Sequence, residues 1–250
     1  MELARSAAVA GLFNTNAMNI AIILSGGIGS RMGADIPKQY MDVGGKPVII
    51  YCIEQFARSG SIDSFIISLD EQWKKMVGDH LSGLGIQCPV FYSCPGETRQ
   101  FTIYHALKCA IANGFKEDDI VVIHDAARPL VSVRLIDSCI HGCLEYDGAL
   151  PVLPMKDTVY FSEDGVRLSG VPPRAMLFAG QAPEAFRLGK YWKAHEMTPC
   201  HEILAVNGST ELAYKAGMNV KIIAGDEMNF KITTPMDLQR FKRIIEDNEG

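Results

Sequence analysis

Short apolar runs that do not alternate with polar residues are the feature that most constrains the fold of this chain. Residues 19–24 read NIAIIL, and residues 120–123 read IVVI. A strand with one face in water alternates apolar and polar side chains, whereas a strand buried on both faces is apolar throughout. Both runs therefore predict strands inside a parallel sheet that is covered by helices on each side.

Segments with helical periodicity lie between such runs. Helices are predicted at 47–59, 71–84, 98–113 and 133–146, and further strands at 63–69, 90–92 and 149–153. Beyond residue 179 the predicted elements are helices at 186–196, 209–216 and 235–247 and a strand at 220–223. The alternation of strands and helices indicates a doubly wound, mostly parallel α/β sheet. Ligands in this class bind at the carboxyl ends of the strands.

Residues 155–179 interrupt this alternation. Two segments of strand-like composition, 158–161 and 166–168, flank the turn sequence Glu163-Asp164-Gly165. They predict a β-hairpin arm that projects from the sheet. Because an isolated hairpin is only marginally stable in water, we expect the arm to pack on another surface, such as a second subunit. With no internal repeat or linker in the sequence, residues 19–250 are predicted to form one domain that carries this dimerisation arm.

The composition excludes several classes of partner. A net charge of -5 argues against nucleic acid or an anionic membrane surface as a partner, and no apolar run has the ~18 residues of a transmembrane helix. The seven cysteines include no CxxC pair, which favours reduced thiols in a cytoplasmic protein. Residues 1–18 are poorly patterned and predict a loose N-terminal extension, with Met18 as an alternative start.

A glycine-rich loop follows the first predicted strand. Residues 24–33 read LSGGIGSRMG, and glycines at this density let backbone amides approach a polyphosphate. Arg31 and Lys38 add positive charge suited to phosphate oxygens. The spacing is not that of a P-loop, and Met32 occupies the third glycine position of the dinucleotide fingerprint GxGxxG. This departure counts against an NAD(P)-dependent oxidoreductase.

The loop and six later segments carry a family resemblance. GGIGSRMGADIPKQY is followed by PGETRQFT, IHDAARP, MKDT, PPR, GQAPEAF and GDEMNFKITTPMDL, which together span about residues 19 to 243. In this order they resemble the cytidylyltransferases that act on methylerythritol phosphate or ribitol phosphate. The resemblance implies a Rossmann-like nucleotidyltransferase fold, transfer of CMP from CTP with release of pyrophosphate, a requirement for Mg²⁺, and a homodimer formed through the arm.

The same resemblance implies roles for individual residues. The residues expected to act on the phosphates of CTP are Arg31, Lys38 and Lys231. Those expected to hold the nucleotide are Ser25, Gly26, Gly27, Gly29, Gly96, Arg99, Thr102, Asp125 and Ala126. Those expected to hold the second substrate are Arg128, Thr158 and Arg174, the last two supplied by the partner subunit. Asp125 is also the expected Mg²⁺ ligand, although its position after a buried strand suits a strand-end turn equally well.

Two departures from the family pattern bear on the second substrate. Residues 206–210 read VNGST where the family carries Thr-Asp, and Ala182-Pro183-Glu184 stands where Thr-Pro-Gln is usual. HDAARP and MKDT resemble the methylerythritol enzymes, whereas FTIYHA, VPPR and GQAPEAF resemble the polyol enzymes. Together they slightly favour ribitol 5-phosphate, or a similar polyol phosphate, over 2-C-methyl-D-erythritol 4-phosphate, the substrate of an enzyme of isoprenoid biosynthesis.

A nucleotide sensor without catalytic activity is a further alternative. It would bind CTP but release no pyrophosphate with any polyol phosphate. The joint presence of Arg31, Lys38, Asp125 and Lys231 argues against it, because binding alone does not require the whole set.

Overall fold

A computed structural model describes residues 17–27 and 36–249. Residues 1–16 of the extension predicted at 1–18 lie outside the described residues, as do Gly29 and Arg31 with their predicted roles. The strands are β1 (Asn19–Leu24), β2 (Asp42–Val43), β3 (Lys46–Pro47), β4 (Ser64–Ser68), β5 (Val90–Ser93), β6 (Ile120–Asp125), β7 (Gly148–Pro154), β8 (Phe178–Gly180), β9 (Glu184–Arg187) and β10 (Val220–Ala224). The helices are α1 (Val48–Arg58), α2 (Glu71–Gly83), α3 (Arg99–Ala112), α4 (Val133–Glu145), α5 (Leu188–Met197), α6 (Cys200–Ala205), α7 (Ser209–Lys215) and α8 (Pro235–Glu249).

The main sheet has the strand order β10-β7-β9-β6-β1-β4-β5, and β8 pairs with β7 outside this path. Strand β1 is parallel to β6 and to β4, β4 is parallel to β5, and β10 is parallel to β7. Strand β9 runs antiparallel to both of its neighbours, β6 and β7. The prediction of a mostly parallel α/β sheet is therefore confirmed.

Helices cover both faces of this sheet, as the unbroken apolar strands require. Alternate side chains of β1 point to opposite faces. Ala21 and Ile23 belong to one core cluster, which includes residues of α1, α2 and α4. Ile20 and Ile22 belong to a second cluster, which includes residues of α3, α5 and α7. All four side chains are completely buried, so β1 is held at the centre of the fold and its carboxyl end is fixed in position.

The predicted hairpin is present, but its regular strand pairing lies at its base. There β7 and β8 pair antiparallel, with Val152 opposite Gly180 and Pro154 opposite Phe178. Between them, the strands predicted at 158–161 and 166–168 are not formed, and a single bridge joins Phe161 to Gly170. Because one bridge supplies few backbone hydrogen bonds, residues 155–177 form an irregular excursion rather than a regular ribbon.

Strand β9 is an element that the sequence pattern does not reveal. The predicted helix at 186–196 begins at Leu188, since Glu184–Arg187 forms a strand between β6 and β7. Four residues are too few for a periodicity to separate strand from helix. The strand brings Glu184 beside the end of β6. No helix in the described part of the chain is long and apolar enough to cross a membrane.

Candidate active site

A cavity of about 630 Å³ lies where β1, β5 and β6 end. This is the edge at which ligands bind in doubly wound sheets. The cavity brings together the following sequence-predicted residues: Ser25, Gly26, Gly27, Lys38, Gly96, Arg99, Thr102, Asp125 and Lys231. Gln39, Asp70, Glu97, Thr98, Ala127 and Thr233 also line it.

The loop after β1 is held in place by two residues that the sequence analysis did not single out. Gln39 is buried, and its Nε2 donates to the carbonyl oxygens of Ser25 at 2.6 Å and Gly27 at 2.7 Å. The Tyr40 hydroxyl donates to the Ser25 carbonyl at 3.1 Å. Burial raises the pKa of Tyr40 to about 12, so it stays a proton donor. Ser25 in turn donates through its hydroxyl to the Ser68 carbonyl at 2.6 Å.

Two glycines allow close packing in the walls of the cavity. A Cβ atom on Gly26 would overlap the Cβ of Pro95, so the absence of a side chain there lets the loop after β1 approach the loop that precedes α3. A Cβ on Gly96 would overlap Phe101, so the absence of a side chain there lets the second loop fold against the first turn of α3.

Thr98 and Thr102 shape the second loop from within. Thr98 caps α3, because its hydroxyl accepts a hydrogen bond from the Phe101 amide at 3.3 Å. The Thr102 hydroxyl donates to the Thr98 carbonyl at 3.0 Å and accepts from the Gly96 amide at 3.0 Å. Thr102 was expected to contact the nucleotide through its side chain. Within the described residues its two hydrogen bonds are made inside the loop, and its contact with a nucleotide stays a prediction.

The carboxylate of Asp125 is surrounded by three positively charged side chains. Arg99 donates through Nε to its Oδ1 at 2.9 Å, and Lys231 donates through Nζ to its Oδ2 at 2.9 Å. The Nε of Arg128 lies 3.7 Å from the same Oδ2. Burial alone would raise the pKa of Asp125, but these three cations hold it well below its usual value. The carboxylate therefore stays ionised.

A second carboxylate, Glu184, faces Arg99 from the neighbouring strand. Glu184 lies opposite Ile123 in the register of β9 and β6, so it shares a face with Ile123 and with Asp125 two residues further on. Its Oε1 is 3.7 Å from Nη2 of Arg99. Burial raises the pKa of Glu184, and Arg99 acts in the opposite direction.

Four predicted residues lie outside the cavity lining. Ala126 is buried behind it, and its amide donates to the Leu24 carbonyl at 3.0 Å. Arg128 donates through Nη1 to the Asn229 carbonyl at 2.7 Å. Thr158 and Arg174 lie on the arm, where Arg174 donates to the Lys156 carbonyl at 2.9 Å. Within one copy of the chain, the two arm residues are separate from the cavity.

The donor set suits Mg²⁺ only together with a nucleotide. Within the described residues, no group of three or more His, Cys, Asp or Glu side chains could hold a metal ion. Three carboxylates line the cavity, those of Asp70, Glu97 and Asp125, and Asp125 is the one paired with Arg99 and Lys231. Since Mg²⁺ commonly binds one or two carboxylates along with substrate phosphates and water, Asp125 fits a metal ion that arrives with a triphosphate.

Comparisons with known proteins identify a matching family and similar folds. The sequence profile of the 2-C-methyl-D-erythritol 4-phosphate cytidylyltransferase family (IspD) matches residues 19–247. The fold is similar to that of 4-diphosphocytidyl-2C-methyl-D-erythritol synthase from Anaerococcus prevotii, with a TM-score of 0.77 and 24% identity over 92% of this chain and 96% of that one. It is also similar to 2-C-methyl-D-erythritol 4-phosphate cytidylyltransferase from Francisella tularensis, with a TM-score of 0.74 and 25% identity over 91% and 99% of the two chains. The corresponding enzyme of Thermus thermophilus gives a TM-score of 0.67 at 23% identity, over 90% and 98%.

Proposed function

Because this chain belongs to the 2-C-methyl-D-erythritol 4-phosphate cytidylyltransferase family, we propose that it transfers CMP from CTP to 2-C-methyl-D-erythritol 4-phosphate. The chain is thus a cytidylyltransferase, and the proposal concerns its acceptor, its site residues and its assembly. The sequence pattern alone slightly favours ribitol 5-phosphate. The family match supports the methylerythritol alternative instead.

The observation that carries the proposal is the charge pattern of the cavity. Lys38 and Lys231 line it together with the glycine loop and the carboxylate of Asp125. In the reaction, a phosphate oxygen of the acceptor attacks the α-phosphorus of CTP, and pyrophosphate leaves. A phosphate is already nucleophilic at neutral pH, so positioning and charge neutralisation do most of the catalysis.

Each charged group has a distinct task in this proposal. Lys38 and Lys231 neutralise the negative charge that builds on the α-phosphate, and Arg99 holds the nucleotide from the side of α3. Asp125 holds Lys231 in place before CTP binds and would hold Mg²⁺ when the triphosphate is present. That ion would neutralise charge on the phosphate oxygens and on the pyrophosphate leaving group.

The arm supports a proposed homodimer in which each copy completes the other's site. Its apolar side chains are unusually exposed for a single chain: 66% for Tyr160, 87% for Val166 and 75% for Met176. Contiguous exposed apolar side chains mark interaction surfaces. In such a dimer, Thr158 and Arg174 would meet the acceptor in the partner's cavity, where the planar guanidinium of an arginine suits a phosphate.

The arm proposal is tested by mixing two inactive variants. Lys231→Ala and Arg174→Ala are each expected to abolish most activity, while their mixture regains up to about one quarter of the wild-type rate per subunit. A quarter is the expectation because only one cavity of each mixed dimer has both residues and half of the dimers are mixed. A mixture as inactive as its components, or a monomer in light scattering, would contradict the shared site.

The acceptor is tested by pyrophosphate release from CTP and Mg²⁺ with 2-C-methyl-D-erythritol 4-phosphate or ribitol 5-phosphate. We expect kcat/KM for 2-C-methyl-D-erythritol 4-phosphate to be at least ~100-fold higher than that for ribitol 5-phosphate. A site that forms hydrogen bonds with substrate hydroxyl groups discriminates strongly between acceptors whose hydroxyl groups are arranged differently. A higher kcat/KM for ribitol 5-phosphate would refute the proposed acceptor. CTP binding without turnover of either would favour the nucleotide sensor.

The roles of the lysines are tested in the same assay. Lys38→Ala and Lys231→Ala are expected to lower kcat by roughly 100-fold or more, the usual effect of removing one group that stabilises transition-state charge. Lys75→Ala is the matched control, because the side chain of Lys75 is 87% exposed and pairs with Asp79 on the surface of α2. Full activity in either cavity variant would refute the mechanism.

A further inference from the structure

The guanidinium of Arg99 contacts three partners. Its Nε donates to Asp125 at 2.9 Å, its Nη2 lies 3.7 Å from Glu184, and its Nη1 donates to the hydroxyl of Ser209. Arg99 itself lines the cavity, whereas Glu184 and Ser209 are not among the lining residues. Two of the three groups that contact the guanidinium therefore lie outside the cavity lining.

The position of Arg99 makes these partners necessary. It is the first residue of α3, where the helix dipole disfavours a positive charge. Asp125 offsets this cost, but Asp125 also contacts Lys231 and Arg128. If Asp125 held a metal ion that arrives with CTP, its carboxylate would be shared with that ion and would attract Arg99 less strongly. Glu184 is the second carboxylate beside Arg99, and it does not line the cavity.

Glu184 is itself well fixed. It lies on β9 between two strands of the central sheet and is only 8% exposed. The hydroxyl of Thr210 donates to its Oε2 at 3.3 Å, so the carboxylate is oriented towards Arg99 from α7. Ser209 and Thr210 lie in the segment that departs from the family pattern. The carboxylate of Glu184 stands where the family usually has the uncharged amide of glutamine.

From this arrangement we propose that Glu184 is a positioning residue: it holds Arg99 in its nucleotide-binding orientation once Asp125 is engaged by the ligand. The carboxylate and the substituted segment 206–210 act together, since Ser209 and Thr210 orient the two ends of the Arg99–Glu184 pair. The inference rests on the proposed function in one respect, that CTP occupies the cavity lined by Arg99.

The test is a double-mutant cycle in CTP affinity, measured by titration calorimetry with Mg²⁺ and without any acceptor. Glu184→Gln keeps the size of the side chain and removes its charge. It is expected to raise the Kd for CTP about tenfold, in line with the loss of a charged hydrogen-bond partner. In an Arg99→Ala background the same substitution is expected to change the Kd less than twofold, because a positioning residue has no effect once the group it positions is gone.

Two further variants separate positioning from stability. Glu184→Asp keeps the charge and is expected to bring the Kd within threefold of wild type. Glu54→Gln removes a carboxylate that is similarly buried, 17% exposed in its side chain, and that pairs with Lys46 away from the cavity. It is expected to lower thermal stability without changing the Kd.

The outcomes distinguish this inference from the proposed function. If wild type fails to bind CTP, the proposed function itself fails. If Arg99→Ala weakens CTP binding but Glu184→Gln leaves the Kd unchanged, positioning by Glu184 is refuted and the proposed function stands. An equal effect of Glu184→Gln with and without Arg99 would also refute it, since the residue would then act independently of Arg99.

Discussion

Replacing His195 by phenylalanine is expected to make the fold less sensitive to acid. His195 lies on α5 and is only 2% exposed. Its ring packs edge-on against Tyr191, with centroids 4.8 Å apart, and beside Tyr104 at 6.1 Å. Neither ring nitrogen has a hydrogen-bond partner within the described residues. Burial therefore lowers the pKa of His195 to about 4, because the charged imidazolium would lose its hydrating water without a hydrogen-bond partner to replace it.

The pKa shift sets both the sign and the size of the effect. In the unfolded chain histidine titrates near its ordinary pKa of 6.5. As pH falls below that value, the unfolded state takes up a proton that the folded state refuses until about pH 4. Stability is thus present above 6.5 and is lost between 6.5 and 4. Between pH 7.5 and 5.0 the loss is about 2 kcal/mol, from 1.36 kcal/mol for each unit of pKa difference.

Urea unfolding followed by circular dichroism at pH 7.5 and pH 5.0 measures this effect. The loss in free energy of unfolding between the two pH values is expected to be about 2 kcal/mol smaller in His195→Phe than in wild type. Any change in packing acts at both pH values and cancels in this difference. His201→Phe, at an exposed position, is the control. The same pH-dependent loss in wild type and His195→Phe would refute the argument.

Three other predictions concern the cavity. Gly26→Ala is expected to weaken CTP binding at least about tenfold, since the added Cβ would overlap Pro95. Gly27→Ala has no described atom within 4 Å of its Cβ, and it is expected to leave thermal stability unchanged. Thr98→Ala and Ser132→Ala each remove a helix cap, and each is expected to lower the free energy of unfolding in urea by about 1 kcal/mol. Only Thr98 lines the cavity, so only Thr98→Ala is expected to weaken CTP binding in calorimetry. Mg²⁺ is expected to raise the melting temperature only when CTP is also present, because Asp125 is the single carboxylate expected to hold it; an equal shift with Mg²⁺ alone would contradict this.

Much of the site was predictable because its residues adjoin recognisable elements. Asp125 lies two residues beyond a continuous apolar run, and Lys38 follows a glycine-rich loop that itself follows such a run. Parallel strands meet at one edge through their carboxyl ends, so residues at those ends converge wherever they lie in the chain. Their convergence on one cavity was therefore implied by the strand pattern, while their chemical roles remain proposals.

The partners of these residues were not predictable in the same way. Thr102 is expected to contact the nucleotide, and the sequence does not reveal that its hydroxyl also makes two hydrogen bonds inside its own loop. Glu184 stood out only as a departure from a family pattern. Its contact with Arg99 depends on a four-residue strand whose periodicity is too short to interpret and on a separation of 85 residues along the chain.

The sequence by itself thus determined the class of fold and the edge at which the charged residues gather, because burial on both faces leaves a continuous apolar run in each strand. Only the tertiary structure decided which of those charged side chains pair with each other. Arg99 lies between Asp125 and Glu184 because β9 inserts antiparallel beside β6, and that pairing comes from contacts between residues far apart in the chain.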